Sequence, residues 1–283
     1  MANRILRGVG RWLAGYLNAE LPSYTPLATH TAERLQQTLL PGDILLVEGN
    51  RRISAAIKYL TQSTWSHAAL YIGSGVVSGQ GGDSPLLIEA DTEHGVVVAP
   101  LSKYDGMHTR ICRPVALSDE DRQALIAFAV ARIGHQYDLK NIFDLVRYLL
   151  PTPPVPTRFR RDLLSMGSGE PTRAICSTLI AQAFQSIGYP ILPAVYTRPS
   201  RPGDPAHCNT CETEVLRVRH HSLFTPRDFD ISPYFAIIKP TIEGGFDYQN
   251  VVWGAPCVSN EPPAGPPLAS VGNDDAGADQ HRA

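Results

Sequence analysis

Three residues, each in an apolar stretch, have side chains suited to chemistry: a histidine, a carboxylate and a cysteine. His67 opens the apolar run 68–73, Glu89 lies inside the run 86–90, and Cys176 stands where a loop becomes a predicted helix. An unpaired charge in an apolar strand is costly, so we expect Glu89 to have a partner. The positive end of a helix and a neighbouring imidazolium both lower the pKa of a thiol.

These three residue types fit nucleophilic catalysis at a carbonyl. A thiolate attacks the carbonyl carbon, an imidazole activates the thiol and later protonates the leaving group, and a carboxylate orients the imidazole. Backbone N–H groups at the start of a helix can stabilise the oxyanion that forms. The sequence therefore favours a cysteine hydrolase.

The chain order of these residues, and the segments around them, resemble a known family. The segments are PGDILL, SHAALYIG around His67, IEA around Glu89, and CSTLIAQAF from Cys176. They resemble the circularly permuted NlpC-type papain-like cysteine hydrolases of the YiiX type, which are relatives of lecithin:retinol acyltransferase-like enzymes. The likeness covers about residues 40–190, and it implies that His67 is the general base, Cys176 the nucleophile and Glu89 the orienting acid. Asp91 is the alternative acid, because strand alternation places it on the same face as Glu89.

Three further positions are predicted to bind substrate. Residues 134–138 are similar to the Gly-x-x-Tyr-Asp segment of that family, which implies that Tyr137 lines the pocket. Ser66 and Ser177, which adjoin the histidine and the cysteine, are the other two.

The hydrophobic periodicity predicts an α+β domain, with strands mainly before residue 115 and helices mainly after it. The resemblance implies a circularly permuted papain-like fold over residues 31–253, with an antiparallel sheet packed against helices. The predicted strands are 44–47, 66–72, 86–90, 96–99 and 108–113, and the predicted helices are 31–38, 53–60, 118–134, 139–150 and 176–187.

The two ends of the chain differ from this domain in composition. Residues 1–19 predict a basic amphipathic helix, with Arg4, Arg7 and Arg11 opposite an apolar stripe. Such a helix packs on its own domain or binds an anionic membrane surface. Residues 255–283 contain five prolines and few apolar side chains, so we expect a disordered tail.

Composition excludes several classes of protein. The 283 residues include 25 Lys and Arg against 27 Asp and Glu, which argues against a nucleic-acid binder. Mean hydropathy is −0.12, and no apolar run approaches the ~18 residues of a transmembrane helix. The N-terminus shows no signal-peptide pattern, so we expect a cytoplasmic protein with mostly free thiols, peripheral on the inner membrane face if residues 1–19 bind lipid.

A second group of metal-binding residue types lies further along the chain. His207, Cys208 and Cys211, with His220 and His221 downstream, could ligate zinc, form a reversible disulfide or lie in a surface loop. A single Cys-x-x-Cys is below the usual zinc pattern, so we expect no metal and no cofactor.

The function that these observations favour is hydrolysis of an amide bond in a peptide or acyl-amino-acid substrate through an acyl-thioenzyme. A membrane-associated lipid acyl hydrolase or acyltransferase is the alternative that residues 1–19 would favour. A catalytically silent binding module that keeps the pocket is the second alternative, since a fold does not fix a function.

Overall fold

The computed structural model describes residues 19–21, 27–77, 84–91, 94–135, 175–204, 208 and 210–253. Tyr137, the predicted helix 139–150, the tail 255–283 and all but the last residue of the predicted helix 1–19 lie outside these ranges. The described residues up to Phe246 belong to one compact unit, and a short 3-10 turn, Tyr248–Asn250, belongs to a second. No helix in the described ranges is long and apolar enough to cross a bilayer.

The prediction of an α+β protein with an antiparallel sheet is confirmed, and most of the predicted element ends agree within one or two residues. The helix predicted over 118–134 is the exception, because it ends at Val130 and continues as turns. The elements are α1 Ala32–Thr38, β1 Ile44–Val47, α2 Arg52–Thr61, β2 His67–Gly73, β3 Leu86–Asp91, β4 Gly95–Pro100, β5 Thr109–Pro114, α3 Asp119–Val130, α4 Ile175–Ser186, β6 Ala194–Pro199, β7 Glu212–Arg217, α5 Pro226–Asp230, β8 Phe235–Ile238 and α6 Pro240–Glu243.

Six of the strands form one antiparallel sheet in the order β4-β3-β2-β1-β5-β8. Strand β1 is central and all four of its residues are buried, which explains why it is apolar throughout rather than alternating. Val47, at its end, pairs with His67 of β2 on one side and with Thr109 of β5 on the other. The starts of β2 and β5 therefore lie at the same end of the sheet.

Alternation along the strands divides the buried side chains between two faces of the sheet. One face carries the larger core, in which helices α3 and α4 pack on the strands. Its members include Ile44, Leu46, Ala68, Leu70, Leu125, Leu179 and Phe184. The other face is covered by α1 and by a 3-10 turn, Leu101–Tyr104, that follows β4. Both faces are thus closed, as a sheet with such apolar strands requires.

A buried ion pair fixes the turn that enters β1. Gly42 has a φ of +94°, a conformation that glycine adopts without strain. Asp43, next to it, is 1% exposed and accepts hydrogen bonds from Leu40 N and from the Arg113 guanidinium, at 2.9 Å and 2.7 Å. Arg113 also donates to Thr38 O at 2.7 Å. Burial raises the pKa of Asp43 in spite of the facing guanidinium.

Arg113→Lys is expected to lower the free energy of unfolding by about 1–2 kcal/mol. A lysine ammonium cannot reproduce the planar fork that binds the Asp43 carboxylate and Thr38 O together, so at least one hydrogen bond to a charged group is lost. Urea denaturation at pH 7 measures the loss. An unchanged midpoint would show that the lysine replaces the fork without cost.

A two-stranded ribbon, β6–β7, was not predicted. Its residues pair from Ala194 with Arg217 to Pro199 with Glu212, and most of its side chains are exposed. Cys208 and Cys211, between the strands, form a disulfide. The expectation of free thiols is therefore wrong for this pair, and the disulfide alternative is the one that the structure contains.

Candidate active site

The predicted histidine and acid form a hydrogen-bonded pair on neighbouring strands. His67 is the first residue of β2, and its Nε2 lies 2.8 Å from Oε2 of Glu89 on β3. Glu89 is 1% exposed, whereas the His67 side chain keeps 26% of its surface exposed. The apolar strand around Glu89 is tolerated because the carboxylate has a partner, as the sequence required.

Two further side chains hold the same carboxylate, and sequence reasoning missed both. Lys103 Nζ contacts Oε1 of Glu89, and the Tyr104 hydroxyl donates to Oε2. Burial alone would raise the pKa of Glu89, but the hydrogen bonds from His67, Lys103 and Tyr104 lower it to about 2. Glu89 is therefore a carboxylate at neutral pH. Tyr104 is itself buried, and burial together with the Glu89 charge raises the pKa of its hydroxyl, which stays a donor.

Cys176 is the second partner of His67. It lies in the first turn of α4 and is 5% exposed, and His67 and the N–H of Ala68 lie near its sulfur. Burial opposes ionisation of the thiol, but the His67 charge and these neighbouring donors prevail and lower the pKa of Cys176. Since His67 Nε2 faces Glu89, Nδ1 is the ring nitrogen left for the thiol.

The two partners together determine the charge of His67. Burial would lower the pKa of the imidazole, but the Cys176 thiolate and the Glu89 carboxylate raise it to about 10. A lowered thiol pKa and a raised imidazole pKa favour a thiolate–imidazolium pair at neutral pH. The arrangement can therefore supply a nucleophile and an acid at the same moment.

The remaining predicted residues are placed differently. Ser66 is buried, and its Oγ accepts from Gly49 N at 2.9 Å, so its side chain is engaged within the fold. Ser177 is fully buried, with its Oγ 3.9 Å from the sulfur of Cys176. Substrate binding by these serines stays a prediction, and Tyr137 lies outside the described residues. Asp91 accepts from His94 N at 3.0 Å, so Glu89 rather than Asp91 is the acid on His67.

No group of three or more histidine, cysteine or acidic side chains is arranged to hold a metal ion in the part of the chain that the structure describes. The zinc alternative considered for Cys208 and Cys211 is replaced by their disulfide.

The stretch of sequence that carries His67 and Glu89 is similar to a family of known enzymes. Residues 38–148 match the permuted papain-like amidase enzymes of the YaeF/YiiX family. The predicted resemblance, and the permuted papain-like fold that it implied, are thereby confirmed. The matched stretch contains His67, Glu89 and Tyr104 and ends before Cys176.

A solved structure is also similar to this chain. The crystal structure described as metalloprotein YiiX from Escherichia coli O157:H7 shares 16% sequence identity with this chain, with a TM-score of 0.42. The likeness covers 71% of this chain and 97% of that one. No curated protein matches this sequence significantly. At the coarse level, the family match supports a hydrolase of the amidase type.

Proposed function

We propose that this protein hydrolyses amide bonds through an acyl-thioenzyme, with Cys176 as nucleophile, His67 as acid and base, and Glu89 as the residue that orients His67. The observation that supports the proposal most is the placement of His67 between Glu89, 2.8 Å from its Nε2, and the Cys176 thiol, whose pKa it lowers. A buried cysteine without an imidazole partner would instead behave as a small apolar side chain, as Cys112 does, whose thiol pKa is raised by burial.

The first half of the reaction forms a thioester. The Cys176 thiolate attacks the carbonyl carbon, the carbon–oxygen double bond becomes an oxyanion, and a tetrahedral intermediate results. His67 then passes its Nδ1 proton to the amide nitrogen, the carbon–nitrogen bond breaks, and the amine leaves. The acyl group remains on the sulfur.

The second half releases the acyl group to water. His67, now neutral, removes a proton from a water molecule whose oxygen attacks the thioester. The carbon–sulfur bond breaks, the carboxylic acid leaves, and the thiolate–imidazolium pair is restored. Glu89 stays ionised throughout, because its low pKa keeps the proton on the imidazole.

Two observations favour an amide rather than an ester. An amine is a poor leaving group unless it is protonated, and the raised pKa of His67 keeps a proton available beside the thiolate. The family that residues 38–148 match is described as amidase. The substrate is accordingly a peptide or an acyl-amino acid.

A substrate panel tests this proposal. The full chain is incubated with N-acyl-amino acids, with tri- to pentapeptides, and with vesicles of phosphatidylcholine and phosphatidylglycerol. Amine release and fatty-acid release are then followed by mass spectrometry. We expect amine release by the wild type, none by Cys176→Ala, and an acyl adduct on Cys176 that hydroxylamine removes.

Two other outcomes would contradict the proposal. Fatty-acid release from vesicles without amine release would identify a lipid acyl hydrolase. An inert Cys176, with no turnover of any member of the panel, would identify a binding module.

A further inference from the structure

A polar cleft of about 390 Å³ lies beside the start of β5, and the catalytic proposal does not use it. Its walls come from the loop between α2 and β2, from the start of β5 and from helix α5. The polar, charged and aromatic side chains that line the cleft include Gln62, Trp65, His108, Arg110, Arg227 and Asp230.

Strand register places the start of β5, which lines the cleft, at the same end of the sheet as His67. Val47 pairs with His67 on one side and with Thr109 on the other, so His67 and Thr109 are two strand spacings apart, about 10 Å. His108 and Arg110, which line the cleft, flank Thr109 in sequence. An extended substrate spans about 3.3–3.6 Å per residue, so about three residues cover the distance between these two strand ends.

Most of the charge in the cleft is compensated. Arg110 NH1 lies 2.6 Å from Asp230 Oδ1, and the other oxygen of that carboxylate accepts from Trp65 Nε1 at 3.0 Å. The Arg110 guanidinium also lies over the Trp65 ring, 4.9 Å from its centroid. His108 Nδ1 is 2.7 Å from a carboxylate oxygen of Glu48, outside the cleft wall. These contacts fix the walls and leave them close to neutral.

Arg227 differs from Arg110 and His108 in the kind of group that it contacts. Its NH1 donates to the carbonyl oxygen of Thr61, at the end of α2, at 3.2 Å. In the described part of the chain, no carboxylate forms an ion pair with it. The cleft therefore presents one positive charge that the wall does not neutralise, on a planar group whose free N–H donors suit a carboxylate.

We propose that this cleft is a subsite for a carboxylate of the substrate, which Arg227 binds about three residues from the scissile amide. The inference rests on the proposed function, since it takes Cys176 as the point of attack. A single uncompensated charge matches a monoanionic carboxylate better than a phosphate dianion. The substrate class that follows is an acidic peptide or an acidic acyl-peptide.

Electrophilic peptides that differ only in charge test the subsite. Chloroacetyl-Gly-Gly-Glu-amide and chloroacetyl-Gly-Gly-Gln-amide have nearly the same shape, and their alkylation of Cys176 in the full chain can be followed by mass spectrometry. We expect the inhibition constant to be about tenfold lower for the glutamate peptide. Glutamate moved to the position next to the chloroacetyl group should lose this preference.

Substitutions at Arg227 test whether this residue causes the preference for the glutamate peptide. Arg227→Gln should bring the two peptides to equal inhibition constants, and Arg227→Lys, which keeps the charge, should retain part of the difference. Arg34→Gln, at an exposed arginine of α1, is the matched control and should leave the preference at tenfold. All variants should react with iodoacetamide at the wild-type rate, because the thiol and its partners are unchanged.

The outcomes separate this inference from the function on which it rests. Equal inhibition constants in the wild type, with normal iodoacetamide labelling of Cys176, would overturn the subsite and leave the nucleophile in place. A preference that survives Arg227→Gln would overturn the role of Arg227. A Cys176 that neither peptide nor iodoacetamide labels would overturn the proposed function itself.

Discussion

At pH 5, iodoacetamide is expected to label Cys176 while an ordinary thiol, with a pKa of about 8.5, hardly reacts. The reason is that His67 lowers the pKa of the Cys176 thiol and keeps its own proton up to a pKa of about 10. His67→Ala should remove the labelling at pH 5 and move the reaction to alkaline pH. Cys176→Ala should lower turnover at least about 10⁴-fold, the order seen when a catalytic nucleophile is lost.

The measurement is site-resolved alkylation from pH 4 to pH 9, followed by mass spectrometry of each cysteine. Cys112 is the internal control, because it is free and buried and its thiol pKa is raised by burial, so it should stay unlabelled in the folded protein. A wild-type profile for Cys176 that titrates like a free thiol, or one that His67→Ala leaves unchanged, would contradict the thiolate–imidazolium pair.

Glu89→Gln is expected to lower the free energy of unfolding at pH 7 by about 3 kcal/mol. The substitution keeps the shape of the side chain but removes the charge that faces His67 and Lys103, and breaking a buried ion pair on one side typically costs this much. Because the pKa of Glu89 falls from its ordinary 4.5 to about 2 on folding, its ionisation stabilises the protein above pH 4.5. That contribution is lost as the pH falls through 2.

Urea denaturation of both proteins at several pH values checks this expectation. The difference between wild type and Glu89→Gln should be full at pH 7 and should shrink towards pH 2. Tyr104→Phe is the matched control, since it removes one donor and leaves the carboxylate, and it should cost only about 1 kcal/mol. A difference that does not change with pH would mean that Glu89 acts through packing rather than through its charge.

The two strands of the site, β2 and β3, were predictable because each carries an ionisable side chain at the start of, or inside, an otherwise apolar run. His67 and Glu89 interrupt apolar runs, and each requires a partner that the other supplies. Cys176 was predictable because it stands at the start of a periodic helix. These signals are local, so single segments of the sequence carry them.

Lys103 and Tyr104 could not be predicted in the same way. They lie in a 3-10 turn after β4, where neither a period of two nor one of 3.6 applies, and only folding of that turn under the sheet brings them to Glu89. The ribbon β6–β7 was missed for a different reason. Its side chains are mostly exposed on both faces, so the apolar alternation that reveals a half-buried strand is absent.

The order of the proposed catalytic residues along the chain has a consequence for biosynthesis. Cys176 follows Glu89 by 87 residues, so at about 5–20 residues per second the ribosome adds the thiol roughly 4–17 seconds after the carboxylate. The core in which helix α4 packs also contains Phe229 and Phe235, which are synthesised later still. A nascent chain therefore carries a cysteine of ordinary reactivity until almost the whole domain has emerged. The raised reactivity of the thiol arises together with the finished fold.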